Sequence, residues 1–174
     1  QVHFAKSWKT YELESPSDSL PGNLVCTNEE SCDNNEDAQQ AHDGASNIYD
    51  YYSEQHNRDS LDNNGMTIIS SVGGGESNAH WNGSQLVYGK SNGIQNSFTQ
   101  SYDIIAHEYT HGIIDFTAGL IYRNESGALS EAWADIFGVT IEAYLEGNTT
   151  SDWLFGEDLY NDPGKALRYL NNPT

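Results

Sequence analysis

His107-Glu108-Tyr109-Thr110-His111, within the segment from Asp103 to Asp135, decides how the rest of the chain is read. On an α-helix, residues four apart lie one turn above each other on one face, so His107 and His111 can offer two imidazole nitrogens to one ion. Glu108 sits about 100° round the helix from His107, where a carboxylate can hold a metal-bound water without ligating the metal. A catalytic zinc wants a third protein ligand and an open position. After Gly112 to Gly119 closes the first helix, a second helical pattern runs from about Ala128 to Glu146, with Gly147 as its stop. Glu131, Asp135 and Glu142 fall on one narrow arc of that helix. A carboxylate stripe facing solvent is the plainer reading. Against it, Asp103, His107 and His111 form a complementary stripe on the first helix. If the helices pack antiparallel, Glu131 meets the histidines at one end and Asp103 meets Glu142 at the other. Two carboxylates in contact call for a cation, somewhat more than ~10 Å from the first site at a rise of about 1.5 Å per residue. The spacing points to zinc at one end and a hard ion such as calcium at the other.

Composition bounds the reading. The 174 residues suffice for one domain with a core, and 26 acidic against seven basic side chains give a formal charge of −19. That balance argues against nucleic acid and anionic membranes as partners. No apolar run approaches the ~20 residues needed to span a bilayer. The chain starts at Gln1, so any signal or propeptide is expected to have been removed. Cys26 and Cys32 either close a small disulfide loop, as outside the cell, or are two thiols; no further histidine or cysteine lies beside them in sequence to make a zinc site.

The remaining segments predict an α+β fold. Val2-His3-Phe4 and Lys9 to Leu13 read as strands, with Ser15 to Ser19 and Pro21-Gly22 as breakers. Asp33 to Asp37 lacks the glycine and glutamate of an EF-hand loop and reads as an acidic helix N-terminus. Ala41, Ala45, Ile48 and Tyr52 give an amphipathic helix from Ala38 to about Gln55, with His42 and His56 read as structural or exposed. Asn63-Asn64-Gly65 turns into a strand at Met66 to Ile69, Gly73-Gly74-Gly75 makes a mobile connection, and Asn82-Gly83 centres a hairpin between Asn78 and Tyr88.

The combination of His107-Glu108-x-x-His111 with Asn124-Glu125-Ser126-Gly127-Ala128-Leu129-Ser130-Glu131-Ala132-Trp133-Ala134-Asp135 resembles the thermolysin family of secreted zinc endopeptidases. Asn78 to Ser84, Ala118 to Tyr122 and Ala166-Leu167-Arg168-Tyr169 match as well, the last looking closer to the pseudolysin and vibriolysin branch. The similarity runs from about Ala38 to the C-terminus.

The resemblance implies that residues 1–174 form the family's N-terminal domain, a mainly antiparallel sheet packed on long helices that carry the zinc. One zinc would sit on His107, His111 and Glu131, the His₂Glu set of thermolysin itself. Glu108 would move the proton, Asp135 would fix His107, and Tyr122 would donate its hydroxyl to the oxyanion. Asn78 and Ala79 would bind substrate backbone as an added strand. Arg168 would grip a substrate carbonyl and, with Ile104 and Leu167, line a pocket for bulky apolar residues after the cut. His80 departs from the aromatic residue common there. One calcium would be held by Asp103, Glu142, Asp152, Glu157 and the carbonyl of Leu154, since Leu154 stands where two-calcium members carry a carboxylate. Family members continue into a helical C-terminal domain with an oxyanion-stabilising histidine, whereas no histidine follows His111 here. The implied partners are therefore a peptide or protein substrate and a separate C-terminal polypeptide completing the cleft. The alternative is a metal-stabilised, catalytically weak fragment that binds peptide or that second chain.

Overall fold

A computed structural model describes residues 6–28, 30–32, 34–75, 77–90 and 96–172. The expected strand at Val2 to Phe4 lies outside them. The first long element is the helix α1, Glu36–His56. Asn35 starts it: its side chain accepts the Ala38 N–H at 3.0 Å, and Glu36 and Asp37 face the positive end of the helix dipole. Asn57 ends it in the left-handed conformation. Ala38, Ala41, Ala45, Ile48 and Tyr52 are buried along one face, as the spacing predicts.

That face packs on a sheet built from β1 (Trp8–Leu13), β2 (Asn23–Thr27), β3 (Ile68–Gly73), β4 (Ala79–Trp81) and β5 (Leu86–Tyr88), ordered β2-β1-β3-β5-β4. The sheet is mixed rather than mainly antiparallel: β1–β3 and β3–β5 are parallel, while β1–β2 and β4–β5 are antiparallel. Between β1 and β3 the chain runs through β2, α1 and their flanking segments, the long connection that a parallel pair requires. Cys26 at the end of β2 is joined to Cys32 just before α1. The connection after β3 is a tight turn, with Gly73, Gly74 and Gly75 all at positive φ and packed on Leu13 and Pro16.

Two more helices complete the framework, α2 (Tyr102–Asp115) and α3 (Asn124–Leu145), the latter starting four residues before the expected Ala128. From Asp103 to Thr110 every residue of α2 is buried, polar side chains included. Tyr109 stacks on Tyr52 of α1 at 5.6 Å between ring centroids. The helices run antiparallel: Asp103 at the start of α2 reaches Glu142 near the end of α3, and His111 lies beside Ser130 at the other end. Gly138 permits this approach, because a Cβ there would lie 2.8 Å from the Asp103 carbonyl oxygen and 3.1 Å from the Phe155 ring. A short hairpin of β6 (Leu154–Phe155) and β7 (Arg168–Tyr169) closes over α3.

Gly138 gives a prediction with competing signs. Alanine in a helix gains about 1 kcal/mol in propensity over glycine. The added methyl meets backbone that cannot swing aside, and overpacking of that kind costs roughly 1–3 kcal/mol. Gly138→Ala is therefore expected to lower the urea midpoint of unfolding, and an unchanged or raised midpoint would show that the α2–α3 contact is looser than described.

Candidate active site

His107 and His111 project one turn apart from α2 toward α3, with their Nε2 atoms 3.0 Å apart. Glu131 closes the group, one oxygen 3.1 Å from His111 Nε2 and the other 3.5 Å from His107 Nε2. The far nitrogen of each ring faces its own partner: His107 Nδ1 is 2.9 Å from Asp135, and His111 Nδ1 is 3.1 Å from the Ser130 hydroxyl. With each Nδ1 beside such a partner, both Nε2 atoms and a carboxylate converge on one point, a donor set suited to a divalent ion such as zinc. Burial disfavours a charged His107, but Asp135, Glu131 and Glu108 outweigh it and push its pKa up to about 9. Glu131 is held well below the usual carboxylate range, chiefly by His107 and then His111. The site thus demands positive charge, from protons or from a metal.

Glu108 is buried on the neighbouring face of α2 and accepts the backbone N–H of Trp81 at 2.8 Å. The Trp81 indole N–H donates to Asp115 at 2.7 Å, so β4 is fastened to the helix at two points. β4 is the sheet's edge, and its register turns the backbone groups of Ala79 and Trp81 away from β5. Between this edge and the hairpin lies a cleft of about 530 Å³ that includes Asn78, Ala79, His80, Glu108 and Tyr122. Its apolar part is formed by Phe98, Ile104, Phe155 and Leu167, with Arg168 beside them. All the residues expected to contact substrate therefore border one space.

Two of them have partners that spacing did not foretell. The Tyr122 hydroxyl donates to Glu131 at 2.6 Å, and that carboxylate, more than burial, pushes its pKa up to about 12. Arg168 grips both oxygens of Asp135, with Nε at 2.8 Å. Burial works to raise Asp135, but His107 and Arg168 together hold it below its ordinary range. Trp81, Asp115, Ser130 and Phe155 were missed as site residues. Of these, only Ser130, one position before Glu131, carried a sequence signal.

At the other end of the helix pair, carboxylate oxygens of Asp103, Glu142 and Glu157 lie within 4.8 Å of one another. One Glu157 oxygen is buried without a hydrogen-bond partner, as a carboxylate awaiting a cation would be. Burial and then repulsion from neighbouring carboxylates raise Glu142; burial raises Asp103 against hydrogen bonds from Ser101 and Gly156; and burial, with repulsion from nearby aspartates, pushes Glu157 up to about 7. Of the wider expected set, Asp152 borders the same hollow without joining the cluster, and its side chain accepts the Leu154 N–H at 2.9 Å. Cys26, Cys32 and His42 form a third grouping, but the sulfurs are bonded to each other and His42 bonds with Trp8 and Thr10.

An H-E-x-x-H helix, a carboxylate from the next helix and a cleft under a sheet edge are the arrangement of one class of protein, the metallopeptidase fold with a two-histidine, one-glutamate centre. The chain belongs to the thermolysin metallopeptidase family: residues 3–115 match the model of its catalytic domain, and residues 118–174 that of its α-helical domain. The second match corrects the expectation that residues 1–174 are all N-terminal domain with the helical domain missing, since residues 118–174, including α3, match the helical-domain model. A bacillolysin of Bacillus caldolyticus is 46% identical over 138 residues, covering 76% of this chain and 25% of that relative. A bacillolysin of Brevibacillus brevis is 42% identical over 173 residues, covering 97% and 31%. The solved precursor of protealysin, a metalloproteinase from Serratia proteamaculans, superposes with a TM-score of 0.90 at 33% identity, over 99% of this chain and 56% of that one. The chain thus spans about a quarter to a third of these curated relatives.

The carboxylate cluster gives a pH prediction. Without a cation the folded protein holds protons on these carboxyls to higher pH than the unfolded chain does. For Glu157 this contribution is fully present below the ordinary value of 4.5 and is lost as pH rises through about 7, and for Glu142, raised further to about 10, it persists to higher pH. A bound cation removes that loss. The rise in melting temperature on adding Ca²⁺ at constant zinc is therefore expected to grow from pH 5 to pH 8, and a pH-independent rise would mean that these carboxylates do not hold the ion.

Proposed function

We propose that this chain carries the zinc-binding half of the cleft of a secreted endopeptidase that hydrolyses internal peptide bonds. The observation that carries the reading is the convergence of His107, His111 and Glu131 beside buried Glu108, on a cleft bordered by an edge strand. One zinc ion on those three residues would lower the pKa of its bound water and polarise the scissile carbonyl. Glu108, steadied by the Trp81 N–H, takes a proton from the attacking water and delivers it to the leaving nitrogen. The substrate lies along β4 as an added antiparallel strand, bonded to Ala79 and flanked by Asn78. Ile104 and Leu167, with Phe98 and Phe155, receive a bulky apolar side chain after the cut. Arg168 has one terminal nitrogen beyond those engaged with Asp135, and it takes a substrate carbonyl. Tyr122, at the mouth of the cleft and 70% exposed, turns its hydroxyl from Glu131 to the developing oxyanion. One calcium ion is assigned to Asp103, Glu142 and Glu157, with Asp152 and the Leu154 carbonyl as its outer ligands.

A second reading has its own support. Leu129, Trp133, Ile136 and Tyr144 are exposed on α3. We take this apolar row as the seat of more of the helical domain, on this polypeptide or on a separate one. Without that cover the chain would bind metal and peptide but turn over slowly.

Glu108→Gln separates the readings. It is expected to leave zinc content near one per chain while lowering cleavage of an internally quenched peptide by roughly 10²-fold or more. Undiminished cleavage would overturn the mechanism. A native protein that binds zinc and peptide without cleaving it would favour the binding reading.

A further inference from the structure

Phe155 is buried, lies outside the zinc and carboxylate groups, and touches both of the chains of contact that reach His107. Its ring lies 5.2 Å from the His107 ring, centroid to centroid, and the Arg168 guanidinium carbon sits over it, 4.0 Å from its centroid. That guanidinium is fastened to Asp135, whose carboxylate faces His107 Nδ1. His107 is therefore held twice from the β6–β7 hairpin, directly by the Phe155 ring and indirectly through Arg168 and Asp135. The next residue, Gly156, donates its N–H to Asp103 in the carboxylate cluster, and Glu157 belongs to that cluster. Gly138 leaves the space in α3 that the Phe155 ring fills.

We infer that Phe155 is a positioning residue through which the β6–β7 hairpin sets the orientation of His107 and makes it sensitive to the state of the carboxylate cluster. The inference rests on the metal-centre reading above. An imidazole has little to fix its rotation besides its far nitrogen and the surfaces on its faces. Partners of that kind typically change metal retention by about 10- to 100-fold when removed. The apolar ring excludes water from the His107–Asp135 contact, and the stacked guanidinium keeps Asp135 in line. If the cluster loses its cation and the loop at Gly156 and Glu157 relaxes, the ring moves with it, since they adjoin in the chain.

The test uses Co²⁺ as the probe, because its visible spectrum reports ligand geometry independently of peptidase activity. Phe155→Leu and Arg168→Gln are each expected to release Co²⁺ to a chelator about 10-fold faster or more than the unaltered protein, with a changed visible band. Arg168→Lys should restore part of the loss. In the unaltered protein, adding Ca²⁺ should slow release; in Phe155→Leu that dependence should be largely lost. Tyr169→Phe, which removes the hydroxyl's hairpin hydrogen bonds to the Gly164 carbonyl and from the Ala166 N–H, should behave like the unaltered protein and so exclude a general loosening. Measurements are made well below each variant's melting temperature. If Phe155→Leu does not fold, Arg168→Gln decides the question in its place. An unaltered protein that binds Co²⁺ while its variants keep the same spectrum and release rate overturns this inference alone. One that takes up neither Co²⁺ nor Zn²⁺ overturns the metal-centre reading and this inference with it.

Discussion

The antiparallel contact of α2 with α3 is the constraint on which the rest depends. It brings two imidazoles to Glu131 at one end and Asp103 to Glu142 at the other, and Gly138 allows the backbones close enough for both meetings. Neither meeting favours folding unaided. At one end lone pairs and a carboxylate converge; at the other, carboxylates crowd in a buried place. The packing of Ile105 and Tyr109 under α1 and the sheet holds these groups together against their repulsion. Cations bound only by the folded chain would then repay the strain as stability.

This arrangement also clarifies the acidity. A formal charge of −19 suggests a uniformly solvated surface, yet several carboxylates are buried at defined places and face one another or a histidine. Arg168 stands between the two ends, neutralising Asp135 beside the histidines while resting on the ring that leads to the cluster. One guanidinium thus links neighbourhoods that the chain separates by helices and a hairpin.

Helical spacing made much of the site legible. His107, His111 and Glu131 meet as the two stripes foretold for antiparallel helices, because each lies on a regular element whose geometry extrapolates over a few turns, while the contact of Asp135 with His107 followed from the resemblance. The α1 face was readable for the same reason. The mixed sheet was less so, since parallel pairing of β1 with β3 depends on the long connection through β2 and α1 and leaves no local mark. Trp81 with Asp115, and Phe155 with His107, are contacts between elements far apart in sequence, which no local pattern reveals. Asp152 illustrates the converse: resemblance alone grouped it with the cluster, and in the structure it borders the same hollow while its carboxylate accepts the adjacent Leu154 N–H.

The double fastening of Trp81 has a bearing on solubility. A bare sheet edge is a template on which other copies of a chain can assemble. Here the edge strand is three residues long, and one of its outward N–H groups is already taken by Glu108. What is left offers too short a ladder to recruit an unfolded neighbour into a growing aggregate. The buried Glu108 carboxylate, by taking the Trp81 N–H, therefore also guards the strand against self-association.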